Sequence, residues 1–166
     1  MHALKPFAAN SIAVSASLKP GNGFLDIEFQ LSDPLGQVQD SLTPGQWKTW
    51  ARADDLWKTT CFEAFFGAPG DPAYYEFNLS PGSERWNLYS FDDYRAPLPP
   101  RASDDFNLQD ITMSKNAMKC KLIGKIQTFE FSLTAVIRTA AGVGYFAVKH
   151  AGQKPDFHLR ESFRRP

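Results

Sequence analysis

Cysteine, charge of one sign, long apolar runs and helical periodicity are all scarce in this 166-residue chain, and each shortage excludes something. Two cysteines, Cys61 and Cys120, cannot form the disulfide framework that staples small secreted domains. Eighteen Lys and Arg against eighteen Asp and Glu leave no net charge, so no global field draws in nucleic acid or an anionic membrane. The basic ending, Arg160 with Arg164 and Arg165, reads as a solvated tail. No window approaches the roughly 18 consecutive apolar residues of a spanning helix, so no membrane partner is expected. The opening residues carry Lys5 and Pro6 without an unbroken apolar run, which does not read as a signal peptide. A cytoplasmic protein with reduced thiols is the expectation. Oligomeric state is not legible.

Aromatic residues are abundant: 14%, as Phe 14, Tyr 5 and Trp 4, together with 12 Pro and 11 Gly. That composition suits many short strands joined by turns. The dominant period is two. Leu25, Ile27, Phe29 and Leu31 alternate with Asp26, Glu28 and Gln30. Ile12, Val14, Ala16 and Leu18 precede them, and Lys19–Gly23 supplies turn chemistry for a hairpin. Met118, Cys120 and Leu122 form one more stripe, and Phe129, Phe131, Leu133, Ala135 and Ile137 another, alternating with Thr128, Glu130, Ser132, Thr134 and Val136 on the expected wet face. Further strands are expected at about 57–66, 74–80, 86–91 and 143–150, with a short helical turn possible only within 44–53. No linker or repeat divides the chain. The reading is one domain over 1–166, all-β, an antiparallel β-sandwich.

The middle segment departs from simple alternation. Phe62, Ala64 and Phe66 look like core, and so do Tyr75, Phe77 and Leu79. If the two strands pair, Glu63 shares the opposite face with Glu76 and Asn78. Trp57, Phe65 and Tyr74 would rim that face, with Trp86, Tyr89 and Tyr94 near in sequence. Large rings beside hydrogen-bonding groups suit a sugar, whose C–H face stacks while its hydroxyls pair.

These residues carry a resemblance. Leu56-Trp57-Lys58-Thr59-Thr60-Cys61-Phe62-Glu63-Ala64-Phe65, then Tyr75-Glu76-Phe77-Asn78-Leu79-Ser80-Pro81, resemble stretches of bacterial DOMON-like proteins related to family-9 carbohydrate-binding modules. Trp86, Tyr89, Phe91, Tyr94 and Arg95 continue the likeness, and Lys154-Pro155-Asp156-Phe157-His158 with Phe163 closes it. The resemblance implies a jelly-roll-like sandwich and a carbohydrate ligand.

The candidate ligand-binding residues are Trp57, Glu63, Glu76, Asn78, Trp86, Tyr94 and Arg95, with His150 and His158 as contributors. Arg95 is a candidate internal partner for either glutamate, and Trp47 and Trp50 read as packing residues. No metal site is expected: His150, Asp156 and His158 lack short ligand spacing, and an Asp156–His158 pair anchoring the tail accounts for them. No cofactor is expected either, although some DOMON relatives bind haem, because Met118 follows the core alternation. Three functions remain open. The first is a non-catalytic binder of a small carbohydrate; the second is a structural or protein-interaction domain. The third is a glycoside-acting enzyme using Glu63 and Glu76.

Overall fold

The computed structural model describes residues 1–39, 50–125 and 128–166. Among them are twelve strands: β1 (His2–Pro6), β2 (Ala13–Gly21), β3 (Phe24–Ser32), β4 (Ala51–Arg52), β5 (Cys61–Gly67) and β6 (Tyr74–Ser80), followed by β7 (Arg85–Phe91), β8 (Arg101–Ala102), β9 (Asn107–Met113), β10 (Ala117–Ile123), β11 (Glu130–Thr139) and β12 (Gly142–Ala147). Three one-turn 3-10 helices, at Leu56–Lys58, Pro81–Ser83 and Arg160–Ser162, are the helical content of the described residues. The chain is all-β, as its period-two patterning requires.

Hydrogen bonding runs unbroken through the order β4-β7-β6-β5-β11-β12-β1-β2-β3-β10-β9, with β8 beside β7. The corner is β1: His2 to Leu4 pair with β2, whereas Lys5 and Pro6 pair with β12. The result is one continuous, curled sheet. Its pairing is antiparallel except for β4 beside β7, which is parallel. The expected hairpin forms, but β2 and β3 extend further than expected and leave only Asn22-Gly23 as the turn, with Gly23 at φ 81°. That positive φ is where glycine replaces strain with freedom.

The apolar stripes meet inside the curl. Leu25, Ile27, Phe29, Phe129, Phe131 and Leu133 are all buried, and so are Met118, Cys120 and Leu122. Phe29 of β3 and Phe62 of β5 touch with ring centroids 5.1 Å apart, joining the two arms of the sheet across one core. Cys61 and Cys120 are buried free thiols, and only Cys120 belongs to that core.

Two strand expectations need correction. The strand expected from Trp57 begins at Cys61, because Asp55 adopts φ 60° and the Thr59 hydroxyl and amide both donate to the Leu56 carbonyl, closing a turn. The supposedly wet face of β11 is dry: Ser132 and Thr134 are fully buried. A second apolar cluster lies over that side, built from Leu56, Cys61, Phe65, Tyr74, Tyr89, Phe91, Val136, Ala147 and Phe157. The C-terminal segment supplies the cover, held by paired backbone bonds between Phe131 and Arg164. Of the expected helical turn at 44–53, residues 44–49 lie outside the described residues, as does Trp47. Ala51 and Arg52 are strand, and Trp50 packs partly buried on the core.

Candidate functional site

Three adjacent strands set the carboxyl groups. Glu63 of β5 stands opposite Asn78 of β6 on one side and Thr134 of β11 on the other, and Glu76 pairs with Phe65. Glu76 is therefore the diagonal neighbour of Glu63, on the face away from the main core. Both are nearly sealed from solvent, at 2% and 7% exposure. Their hydrogen bonds come from neutral donors: Thr134 Oγ1 donates to Glu63 Oε2 at 2.8 Å, and Asn78 Nδ2 donates to Glu76 Oε1 at 2.8 Å. Beneath them the Cys61 thiol donates to Asn78 Oδ1 at 3.7 Å.

Burial governs the proton affinity of this pair. It raises Glu63 to about 8, with the charge of Glu76 adding to the effect and the Thr134 hydroxyl opposing it. Burial also raises Glu76, to about 7, against the pull of Asn78 and Arg95. Two such neighbours titrate as a unit, and at neutral pH the pair retains a proton. The same burial, helped by both carboxylates, pushes the Cys61 thiol well above its usual range and favours its neutral form.

The C-terminal segment closes the site with His158. The Tyr74 hydroxyl accepts from the Arg95 amide at 3.2 Å and is hydrogen-bonded to His158 Nδ1 at 2.8 Å; with the ring proton on Nε2, the hydroxyl is the donor of that bond. Burial, reinforced by the Arg95 charge, lowers His158 to about 4 and keeps it neutral. Its Nε2 is 3.7 Å from Glu76 Oε2, too long for a hydrogen bond and, with the ring neutral, not an ion pair. Asp156 fixes the segment: it accepts from Tyr94 at 2.6 Å, from the Arg95 guanidinium at 3.1 Å and from the His158 amide at 3.1 Å. The expected Asp156–His158 pair thus forms through the backbone, while the ring turns to Tyr74.

These groups border a cavity of about 430 Å³. Glu63, Glu76, Phe65, Val136 and Tyr145 line its sheet side, and Phe157 and His158 line its covered side. Trp57, 52% exposed, stands at the mouth with Arg95, Lys154 and Pro155. The volume lies within the range of small-molecule sites. Among the described residues no group of three His, Cys, Asp or Glu is arranged to hold a metal ion.

Five of the nine expected residues line this cavity: Trp57, Glu63, Glu76, Arg95 and His158. Asn78 lies below it as the support of Glu76, and Tyr94 stands behind Asp156. Trp86 and His150 go elsewhere. The parity of β7 places Trp86 opposite Leu79, so it is buried in the main core, beside Phe77 and under the Arg52 guanidinium at 4.2 Å. His150 donates Nε2–H to the Lys5 carbonyl at 2.8 Å, if that nitrogen carries the proton, and packs edge-on against Phe7. Arg95 pairs with Asp156 rather than with a glutamate. Thr134, Val136, Tyr145 and Phe157 were not among the expected residues. Val136 carried a signal, as an apolar residue on the nominally wet face of its strand.

No protein-family model matches this sequence, and no curated protein sequence does. In three dimensions the chain is similar to the crystal structure of a "putative carbohydrate-binding protein" from Bacteroides uniformis ATCC 8492. The TM-score is 0.67, the identity is 11%, and the match covers 98% of this chain and 84% of the other. At that identity the likeness shows the fold.

Proposed function

We propose that the protein is a non-catalytic binding domain whose ligand is a small carbohydrate held in the cavity over Glu63 and Glu76. The observation that carries this reading is the composition of the cavity wall. Phe65, Tyr145 and Phe157 offer ring surface for sugar C–H faces, and two carboxyl groups on a rigid sheet offer hydroxyl partners. Trp57, exposed at the mouth, offers a stacking surface for a second sugar unit. The similarity to a protein described as a carbohydrate binder supports the reading, as does the resemblance of the central and C-terminal motifs to DOMON-like and family-9 modules. We place the protein with those modules and in the cytoplasm.

One observation favours a second reading, a protein-interaction domain: Trp57, Tyr94 and Leu98 are large apolar residues left 52%, 49% and 77% exposed. Calorimetric titration with a panel of mono- and oligosaccharides separates the two. Binding in the micromolar to millimolar range, weakened by Glu76→Gln and by Trp57→Ala, is the expected result. No binding across the panel removes the carbohydrate reading and leaves the interaction domain. Hydrolysis of a chromogenic glycoside, abolished by Glu63→Gln or Glu76→Gln, would make the same site an enzyme.

A further inference from the structure

The cavity wall contains two buried carboxyl groups. Among the described residues, neither Glu63 nor Glu76 forms an ion pair with Lys or Arg. Arg95, whose charge acts on Glu76, is 3.1 Å from Asp156 and pairs there. Lys154 is exposed at the mouth, where water solvates it. His158 Nε2 is 3.7 Å from Glu76 Oε2, but burial keeps that ring neutral, so it brings no counter-charge. Each carboxyl is left with a neutral donor, Thr134 for Glu63 and Asn78 for Glu76.

Buried carboxylates are costly unless a positive group meets them. A neutral sugar fills the space but brings no counter-charge. An ammonium group brings it, and aromatic faces around the cavity add a cation–π contribution that a hydroxyl lacks. Resting on the carbohydrate reading above, we propose that the cavity selects an amino sugar, its protonated primary amine seated against Glu63 and Glu76 and its ring against Phe65 and Phe157. The carboxyl proton displaced on binding passes to solvent, and the ammonium keeps its own three. An N-acylated amine carries no charge and forfeits the selection.

Titration calorimetry at neutral pH tests this with glucosamine, N-acetylglucosamine, glucose, cyclohexylamine and cyclohexanol as probes. Glucosamine should bind about tenfold more tightly than glucose or N-acetylglucosamine, the margin between a charged and a neutral hydrogen bond. Glu63→Gln or Glu76→Gln should reduce that ratio to about twofold or less; each replaces a carboxyl with a neutral group of similar shape, and circular dichroism checks that the variant folds. If neither folds, the wild-type ratio decides. Equal affinity for glucose and glucosamine overturns the amine selection and leaves the carbohydrate reading standing. Cyclohexylamine binding without any sugar does the reverse, provided cyclohexanol fails. If no probe binds, both are overturned.

Discussion

The Thr134 hydroxyl donates to the Glu63 carboxyl at 2.8 Å across the β5–β11 pairing, between two side chains that are both almost wholly buried. A threonine on a nominally wet strand face is thereby the principal polar support of a buried acid.

Removing that donor should destabilise the fold. Thr134→Val keeps the shape and deletes the hydroxyl, leaving Glu63 with a lost hydrogen bond at an expected cost of about 1–3 kcal/mol. The loss should be larger at mildly alkaline than at mildly acidic pH, because the ionised carboxylate needs the donor more. Urea unfolding at the two pH values measures both quantities; a variant as stable as the parent at each would show that the bond is idle.

Stability should also fall as pH rises above the ordinary range of histidine. Glu63 and Glu76 are raised in the fold, so their contribution is fully present below their ordinary value of 4.5 and is lost as pH climbs through about 7 and 8. His158 is lowered to about 4, so its contribution runs the other way, present above 6.5 and lost as pH drops toward 4. Between 6.5 and 8 only the carboxyl pair of these three changes, and a decline on the order of 2 kcal/mol is expected over that interval. The double variant Glu63→Gln/Glu76→Gln should flatten the curve. A parent whose stability is level or rising there contradicts the buried-acid account.

Trp86 and Trp57 should behave oppositely. Trp86→Ala opens a cavity in the main core and should cost about 3–5 kcal/mol. Trp57→Ala removes an exposed ring and should leave the melting temperature nearly unchanged while weakening any ligand that reaches the mouth. Melting curves and sugar titrations on the same two proteins check this; matching stability losses would show that Trp57 also packs.

With the Tyr74 hydroxyl as donor to Nδ1, the His158 ring proton is expected on Nε2. In Tyr74→Phe, Nδ1 loses its donor, and nitrogen NMR should show the ring shifting from a single Nε2–H tautomer to a mixture. An unchanged ring would mean that Glu76 alone orients it.

Much of the sheet was legible because period two is unambiguous where one face is wet. The stripes Leu25–Leu31 and Met118–Leu122 are each buried on the side that their alternation indicates. Glu63, Glu76 and Asn78 share a face because strand parity places them there once β5 and β6 pair, although that face too is covered. The pattern gave out where both faces are covered: in β11, Ser132 and Thr134 look like solvent positions, and only the C-terminal segment folding back over them reveals otherwise. Trp86 was misplaced by its neighbours Tyr89 and Tyr94, which suggested a rim, although its pairing with Leu79 turns it inward. The turn at Leu56–Lys58 was hidden because Trp57, Thr59 and Cys61 continue the alternation by coincidence, while the departure depends on a positive φ at Asp55 that no periodicity reports.

The short strand β1 is the zip fastener of the molecule. Its first half closes the open edge of β2, and its second half closes the open edge of β12. Cutting away His2–Pro6 would bare two rows of unpaired backbone donors and acceptors at once, each a template for another chain. The damage would register first as self-association, before the buried acids or the cavity were touched.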